Sequence, residues 1–189
     1  MSRIGFALCG SFCTHAAALT ALEALLACGH DIQPILSETA FSTDTRFGCA
    51  AALRERLESL CGRAVIHTVP EAEPLGPARP LDALVICPCT GNTLAKLANG
   101  VTDSAVTMAA KAHLRNEKPL IIAVSTNDAM GMNFKNIGLL YNVKHIYFVP
   151  FGQDDYKKKP NSLIADVSRI PETVEAALGG RQIQPVLYG

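Results

Sequence analysis

Residues 86–100 read Ile86-Cys87-Pro88-Cys89-Thr90-Gly91-Asn92-Thr93-Leu94-Ala95-Lys96-Leu97-Ala98-Asn99-Gly100 and follow an apolar run, 81–87, with the character of a buried strand. The break at Pro88 leads into a helix-like stretch, so two hydroxyls (Thr90, Thr93), a carboxamide (Asn92) and free backbone N–H groups stand at a strand end. In open α/β sheets, ligands are held where a strand ends in a small polar turn and feeds a helix. Such a turn suits a phosphate or a polar heterocycle better than an apolar guest. Matching turns occur at Cys9-Gly10-Ser11, Ser37-Glu38-Thr39 and Ser125-Thr126-Asn127-Asp128. The candidate cofactor contacts from the four turns are Gly10, Ser11, Ser37, Thr39, Pro88, Cys89, Thr90, Asn92, Thr93, Ser125 and Asn127.

At the first turn, Gly10 lets a ligand approach the backbone, and Ser11 with Thr14 can donate hydroxyls to a phosphate. An ordinary helix cap would favour Ser there as well. The dinucleotide fingerprint G-x-G-x-x-G is absent, although Glu38 could meet a ribose, so residue chemistry leaves NAD open. His15, in the first helical turn, and Lys96, one turn beyond Asn92, are candidate contacts to an anionic substrate; a packing histidine and a solvated lysine are the plainer readings. Asn92 itself could serve only as a helix cap. The five histidines show no metal-ligand spacing, and the pairs Cys9/Cys13 and Cys87/Cys89 lack the C-x2-C pattern of structural zinc. Seven cysteines, an odd number, argue for free thiols in a reducing compartment, without metal or disulfide. Lys157-Lys158-Lys159 reads as a solvated loop.

These turns need a frame to hold them. Apolar runs at 3–9, 31–36, 64–69, 81–87, 120–124 and 145–149 predict six strands. Helical spacing marks 16–28, 46–60, 92–97, 103–114 and 133–141, with Gly29 placed to cap the first helix. Strands apolar on both faces, alternating with helices, imply an α/β fold: a single Rossmann-like, flavodoxin-like domain over 1–189, its parallel sheet of about six strands covered by helices on both faces. Right-handed crossovers then bring every polar turn to one edge of the sheet. Residues 152–189 read as a polar, partly irregular tail.

With 189 residues, 49% of them apolar, the chain can bury a full core. Lys+Arg and Asp+Glu number 17 each, and no basic stripe carries interleaved aromatics, which excludes a nucleic-acid footprint. No apolar stretch reaches membrane-spanning length, so a cytoplasmic protein without a membrane partner is expected.

The turn Pro88-Cys89-Thr90-Gly91-Asn92-Thr93, with Gly10-Ser11 and Ser37-Glu38-Thr39-Ala40, resembles the flavin-binding cysteine decarboxylase-like flavoproteins. Asn127-Asp128-Ala129-Met130-Gly131-Met132-Asn133 stands where that family has its Met-Asn flavin loop, which adds Met130 to the cofactor contacts and Asn133 to the substrate contacts. Residues 96–116, with 149–155 and 159–162, are narrower. They look like one branch of the family, the B subunits of two-subunit enzymes that turn a hydroxylated tetrahydrodipicolinate of the lysine pathway into dipicolinate, stored with calcium in spores. The likeness covers residues 3 to about 167.

The resemblance implies FMN on this chain, NAD(P) on a partner A subunit, a small dicarboxylate substrate, a homo-oligomer, and a place in the mother cell of a sporulating bacterium. Two departures matter. The decarboxylases carry a His in the region filled here by residues 74–79, where none stands, and their Ala-Ser pair is Cys89-Thr90. Both count against decarboxylation and leave flavin binding in place. Three functions follow: a flavin-binding oxidoreductase subunit; a non-catalytic partner that stabilises or activates the A subunit; and, more weakly, an FMN-dependent cysteine-type decarboxylase. No residue is identified as the proton carrier.

Overall fold

The computed structural model describes residues 1–78 and 80–188; Arg79 and Gly189 lie outside the described residues. In chain order the elements are β1 (Arg3–Leu8), α1 (His15–Ala27), β2 (Asp31–Leu36), α2 (Glu38–Ser42), α3 (Ala50–Cys61), α4 (Val69–Ala72), β3 (Ala83–Cys89), α5 (Gly91–Ala98), α6 (Ala105–Leu114), β4 (Leu120–Thr126), α7 (Phe134–Tyr141), β5 (Ile146–Phe148), β6 (Phe151–Gln153), β7 (Leu163–Ala165) and α8 (Ile170–Leu178). They build one seven-stranded sheet of order β2-β1-β3-β4-β7-β6, with β5 also paired to β4. The pairs among β2, β1, β3, β4 and β5 are parallel; β7 runs antiparallel to both β4 and β6.

This is the expected α/β architecture. Every residue of β3 is buried, as are all of β4 but its last. Apolar runs without polar alternation therefore become the strands covered on both sides. Of the covering helices, α1 packs with α8, and α6 packs with α4 and α5. Burial of Phe6, Leu22, Val85, Ile122 and Phe148 ties both layers into a single core.

Three expectations are corrected. Residues 64–69 are not a strand: Ile66 makes one isolated parallel bridge to Ile35. Thr68 instead caps α4, its hydroxyl accepting from the Glu71 N–H while the Glu71 carboxylate accepts from the Thr68 N–H. A capping box with Pro70 behind it starts a helix where the apolar run alone suggested a strand. Second, the helix expected from residue 46 starts at Ala50, because Asp44 accepts the Ala50 N–H at 2.8 Å and Thr45 and Gly48 close a tight turn first. Third, residues 152–189 are not only a polar tail: β7 adds to the sheet, Asp166 caps a short 3-10 turn, and α8 buries Ile170, Val174 and Ala177, while 154–162 and 179–188 carry no helix or strand, in keeping with a partly irregular segment. Gly29 does follow α1 with a φ of 82°, as a terminating glycine should.

Candidate active site

The carboxyl ends of β1, β2 and β3 open into a cleft of about 360 Å³. Gly10, Ser37, Thr39, Thr90, Asn92, Thr93 and Lys96 line it, together with Cys9, Glu38, Asp103 and Ser104. Three of the four polar turns thus share one wall, as parallel topology requires. The fourth is joined to them by hydroxyls: Ser125 Oγ lies 2.9 Å from both Ser11 Oγ and Thr14 Oγ1, directly beside the first turn.

Local sequence fixes each turn. Ser37 caps α2, accepting from the Ala40 N–H at 3.2 Å. Thr90 caps α5, accepting from the Thr93 N–H at 3.3 Å, and its hydroxyl meets that of Thr93 at 3.1 Å. Asn92 is therefore not the cap: it stands exposed in the first turn of α5, its carboxamide free of hydrogen-bond partners within the described residues. Thr93 is buried and donates to the Cys9 sulfur at 3.3 Å. A Cβ at Gly10 would meet Thr39 Cγ2 at 3.5 Å, an ordinary contact, so the fold does not itself demand glycine there.

Gly91 differs. A Cβ on it would overlap Asn133 Nδ2 and stand 2.7 Å from Asp128 Oδ1 and 2.9 Å from Thr126 Oγ1. Those three side chains form a chain of bonds: Thr126 Oγ1 donates to Asp128 Oδ1 at 2.5 Å, and Asn133 Nδ2 to Asp128 Oδ2 at 2.8 Å. Asn136 Nδ2 then donates to Asn133 Oδ1 at 2.8 Å. The Asp128 carboxylate thus faces the positive end of α5, and the turns after β3 and β4 are locked together.

Other expected residues fall elsewhere. Pro88 and Cys89 are buried within β3, beneath the cleft and not on its wall. Asn127 Oδ1 accepts from Ser162 at 3.4 Å, and the Met130 sulfur accepts from Gln153 at 3.4 Å, so both are tied to the β6–β7 connection. Asn133 is buried in the network under Gly91. His15 lines a separate cavity of about 240 Å³, floored by Ala16, Leu19 and Ala40 and flanked by Phe12 and Phe47. Its Nε2 donates to the Cys9 carbonyl at 2.7 Å, which fixes the tautomer, and burial lowers its pKa so that the ring stays neutral. Of the three expected substrate contacts only Lys96 stands in the cleft, and it is held by Asp103 at 2.8 and 2.9 Å.

The arrangement offers hydroxyl and backbone N–H donors to a phosphate. Lys96 is the one cation on the wall among the described residues, against the carboxylates of Glu38 and Asp103. Serine and threonine hydroxyls and the backbone at Gly10 fit a flavin mononucleotide phosphate, and Asn92 could both donate to and accept from a ring edge. Burial pushes the Cys9 thiol up to about 11 and raises Cys87 and Cys89 as well, so none is a thiolate near neutrality. All seven cysteines are unpaired. Among the described residues no group of three or more His, Cys, Asp or Glu could hold a metal, and no helix is long and apolar enough to cross a membrane.

Gly91, Asp128 and Asp103 are the contributors to which the sequence assigned no role. Asp128 was visible as part of a polar turn, but its packing on Gly91 depends on a contact between elements far apart in the chain.

The chain is 48% identical over 185 residues to the B subunit of dipicolinate synthase from Bacillus subtilis (strain 168), covering 98% of this chain and 92% of that one. Its structure matches the crystal structure of the dipicolinate synthase B subunit from Bacillus halodurans C with a TM-score of 0.92 and 46% identity, over 100% of this chain and 96% of that one. The FMN-dependent cysteine decarboxylase SpaF shares the fold, with a TM-score of 0.68 and 23% identity over 95% of this chain and 97% of that one. Residues 1–174 match the family model named Flavoprotein; the chain belongs to the Flavoprotein family.

Proposed function

We propose that this chain binds FMN in the cleft at the ends of β1, β2 and β3 and acts as the B subunit of a dipicolinate synthase, in the cytoplasm of a sporulating mother cell. The carrying observation is the cleft itself, a wall of hydroxyls, one carboxamide and one lysine at the strand ends, in a chain 48% identical to a dipicolinate synthase B subunit. Bound flavin supplies an acceptor for the two electrons lost when a dihydropyridine dicarboxylate becomes aromatic. Ser37, Thr39 and Thr90 hold the phosphate by hydroxyl donation, with the backbone of Gly10 close against it. Asn92 orients a ring edge, and Lys96 supplies positive charge to a dicarboxylate. NAD(P) belongs to the partner A subunit, and the chain works as an oligomer with it.

A cysteine-type decarboxylase fits less well. Among the described residues no histidine lines the cleft, none stands at 74–78, and the one thiol on its wall, Cys9, is buried and protonated. The experiment is reconstitution: the purified chain is titrated with FMN and assayed with the A subunit for dipicolinate. A yellow complex whose flavin content tracks dipicolinate formation supports the reading. A colourless protein that raises A-subunit turnover without flavin overturns the cofactor assignment and identifies a stabilising partner.

A further inference from the structure

Lys96 lies four residues after Asn92 on α5, so the two share a helix face, and both line the cleft. Its ammonium is engaged twice, by the two carboxylate oxygens of Asp103 at 2.8 and 2.9 Å. The pairing is lopsided. The Asp103 side chain is 54% exposed and that of Lys96 only 28%. Within the described residues, Lys96 is the only hydrogen-bonded side chain that Asp103 has. Asp103 ends the short connection after Gly100, immediately before Ser104, whose hydroxyl caps α6 through Thr107. It is thus an anion on a short tether, resting on the cleft's lysine, which is the bond that holds its side chain in place.

We propose that Lys96 is the anchor for a substrate carboxylate and that Asp103 is an internal stand-in for that carboxylate, displaced into solvent when the dicarboxylate enters. This rests on the functional reading above and names the residue that selects for an acidic substrate. The chemistry is direct. A carboxylate on Lys96 makes the same charge-assisted bonds that Asp103 makes. An exposed ion pair holds its partners weakly, so the exchange is readily reversible. While Asp103 stays in place the wall carries two carboxylates against one ammonium and repels a dianion. Once Asp103 swings out, the ammonium is left to face the ligand. Asp103 therefore sets a threshold: it keeps Lys96 neutralised against stray anions and gives way to a ligand that makes further contacts along the wall.

The consequence is a pair of opposite signs with no gain in the double variant, whereas charge repulsion without displacement would make the two effects add. Isothermal titration of dipicolinate into the full-length protein measures it. Relative to the parent, Asp103→Asn binds about two- to fivefold tighter, since the competitor is gone. Lys96→Gln binds at least about tenfold weaker, with Lys96→Arg between it and the parent. Lys96→Gln combined with Asp103→Asn is as weak as Lys96→Gln alone. Thermal unfolding of each variant, run alongside, confirms that it is folded. If Asp103→Asn binds unchanged or weaker, if Lys96→Gln binds like the parent, or if the double variant binds tighter than Lys96→Gln alone, the exchange is refuted while the flavin-subunit reading stands. If the parent protein takes up no dipicolinate, alone or with FMN and the A subunit, the dicarboxylate reading fails and this inference falls with it.

Discussion

Replacing Gly91 by Ala should destabilise this protein although the same change stabilises most helices. An alanine within a helix is worth about 1 kcal/mol over glycine, and Gly91 does not have the positive φ that would strain an alanine. The new methyl, however, would overlap Asn133 Nδ2 and lie 2.7 Å from Asp128 Oδ1. Asp128 is exposed and can rotate away. Asn133 is buried and bonded to Asn136 at 2.8 Å, so it cannot. Losing the Asn133–Asp128 bond, which involves a charged acceptor, costs about 1.5–3 kcal/mol. Shifting α5 to relieve the overlap adds about 1–3 kcal/mol. After the helical gain is subtracted, the net loss is about 1.5–5 kcal/mol, a fall in melting temperature of roughly 3–20 °C for a chain of this length. Calorimetry or circular dichroism on Gly91→Ala measures it. Truncating Asn133 to Ala in the same background should return at least about 1 kcal/mol relative to additivity, since it clears the space that the methyl needs. A Gly91→Ala protein that melts at or above the parent's temperature would refute the lock between the two turns.

Further outcomes follow from the same geometry. Asn92→Asp should keep full stability, because Thr90 is the cap, while dipicolinate formation with the A subunit falls at least about tenfold, roughly 1.4 kcal/mol; full activity in a coupled assay would remove Asn92 from the site. Gly10→Val should fold normally, since a Cβ there meets Thr39 Cγ2 at an ordinary 3.5 Å, yet lose FMN binding in a fluorescence titration; unchanged affinity would take this turn out of the cleft's function. His113 is buried and donates to the Pro119 carbonyl at 2.9 Å, and desolvation pushes its pKa down to about 4. The unfolded chain therefore binds the extra proton first, so stability present above about pH 6.5 should be lost as pH falls toward 4, by at most about 3 kcal/mol. Urea unfolding across that range should show the slope, and His113→Gln should flatten it. A thiol reagent at neutral pH should modify exposed Cys13, Cys28 and Cys49 and spare buried Cys9, Cys87 and Cys89 in the folded protein; rapid labelling of all seven would contradict the burial.

The sheet was legible because its strands are uninterrupted apolar runs bounded by glycine, proline and small polar residues. The convergence of the turns after β1, β2 and β3 followed from parallel topology alone. The misreadings share a cause. Ile66 and its neighbours carry strand-like composition, but Thr68 and Glu71 commit the chain to a helix through hydrogen bonds that an apolar pattern does not register. Asn92 was open to a cap reading because Asn and Thr are both good caps; only the position of the Thr93 N–H decides for Thr90. His15, Asn127, Met130 and Asn133 have the right chemistry for a site, and each spends it on a partner within the fold. The bond between Lys96 and Asp103 spans the end of α5 and a turn at Gly100, so helical spacing could not bring the two residues together. Gly91 was hidden because a glycine at a helix start looks permissive, and its necessity appears only against a side chain some forty positions on.

The pairing order of the strands also bears on how the molecule comes into being. The core pairs are distant in sequence: Arg3 meets Asp31, Ile4 meets Ala83, and Leu84 meets Leu120. Only β6 and β7 pair as a near-neighbour hairpin, Phe151 against Ala165. Loop closure must therefore precede most of the stabilising contacts, which slows folding relative to a helical bundle of equal size. During synthesis the strands of one sheet edge, β1 and β2, emerge first. β1 and β2 can pair once residue 36 has emerged, bringing Gly10 and Ser37 together before Asn92 has been made. Synthesis thus delivers the Gly10 and Ser37 end of the cleft first, and the two later turns, with Gly91 and Ser125, complete it.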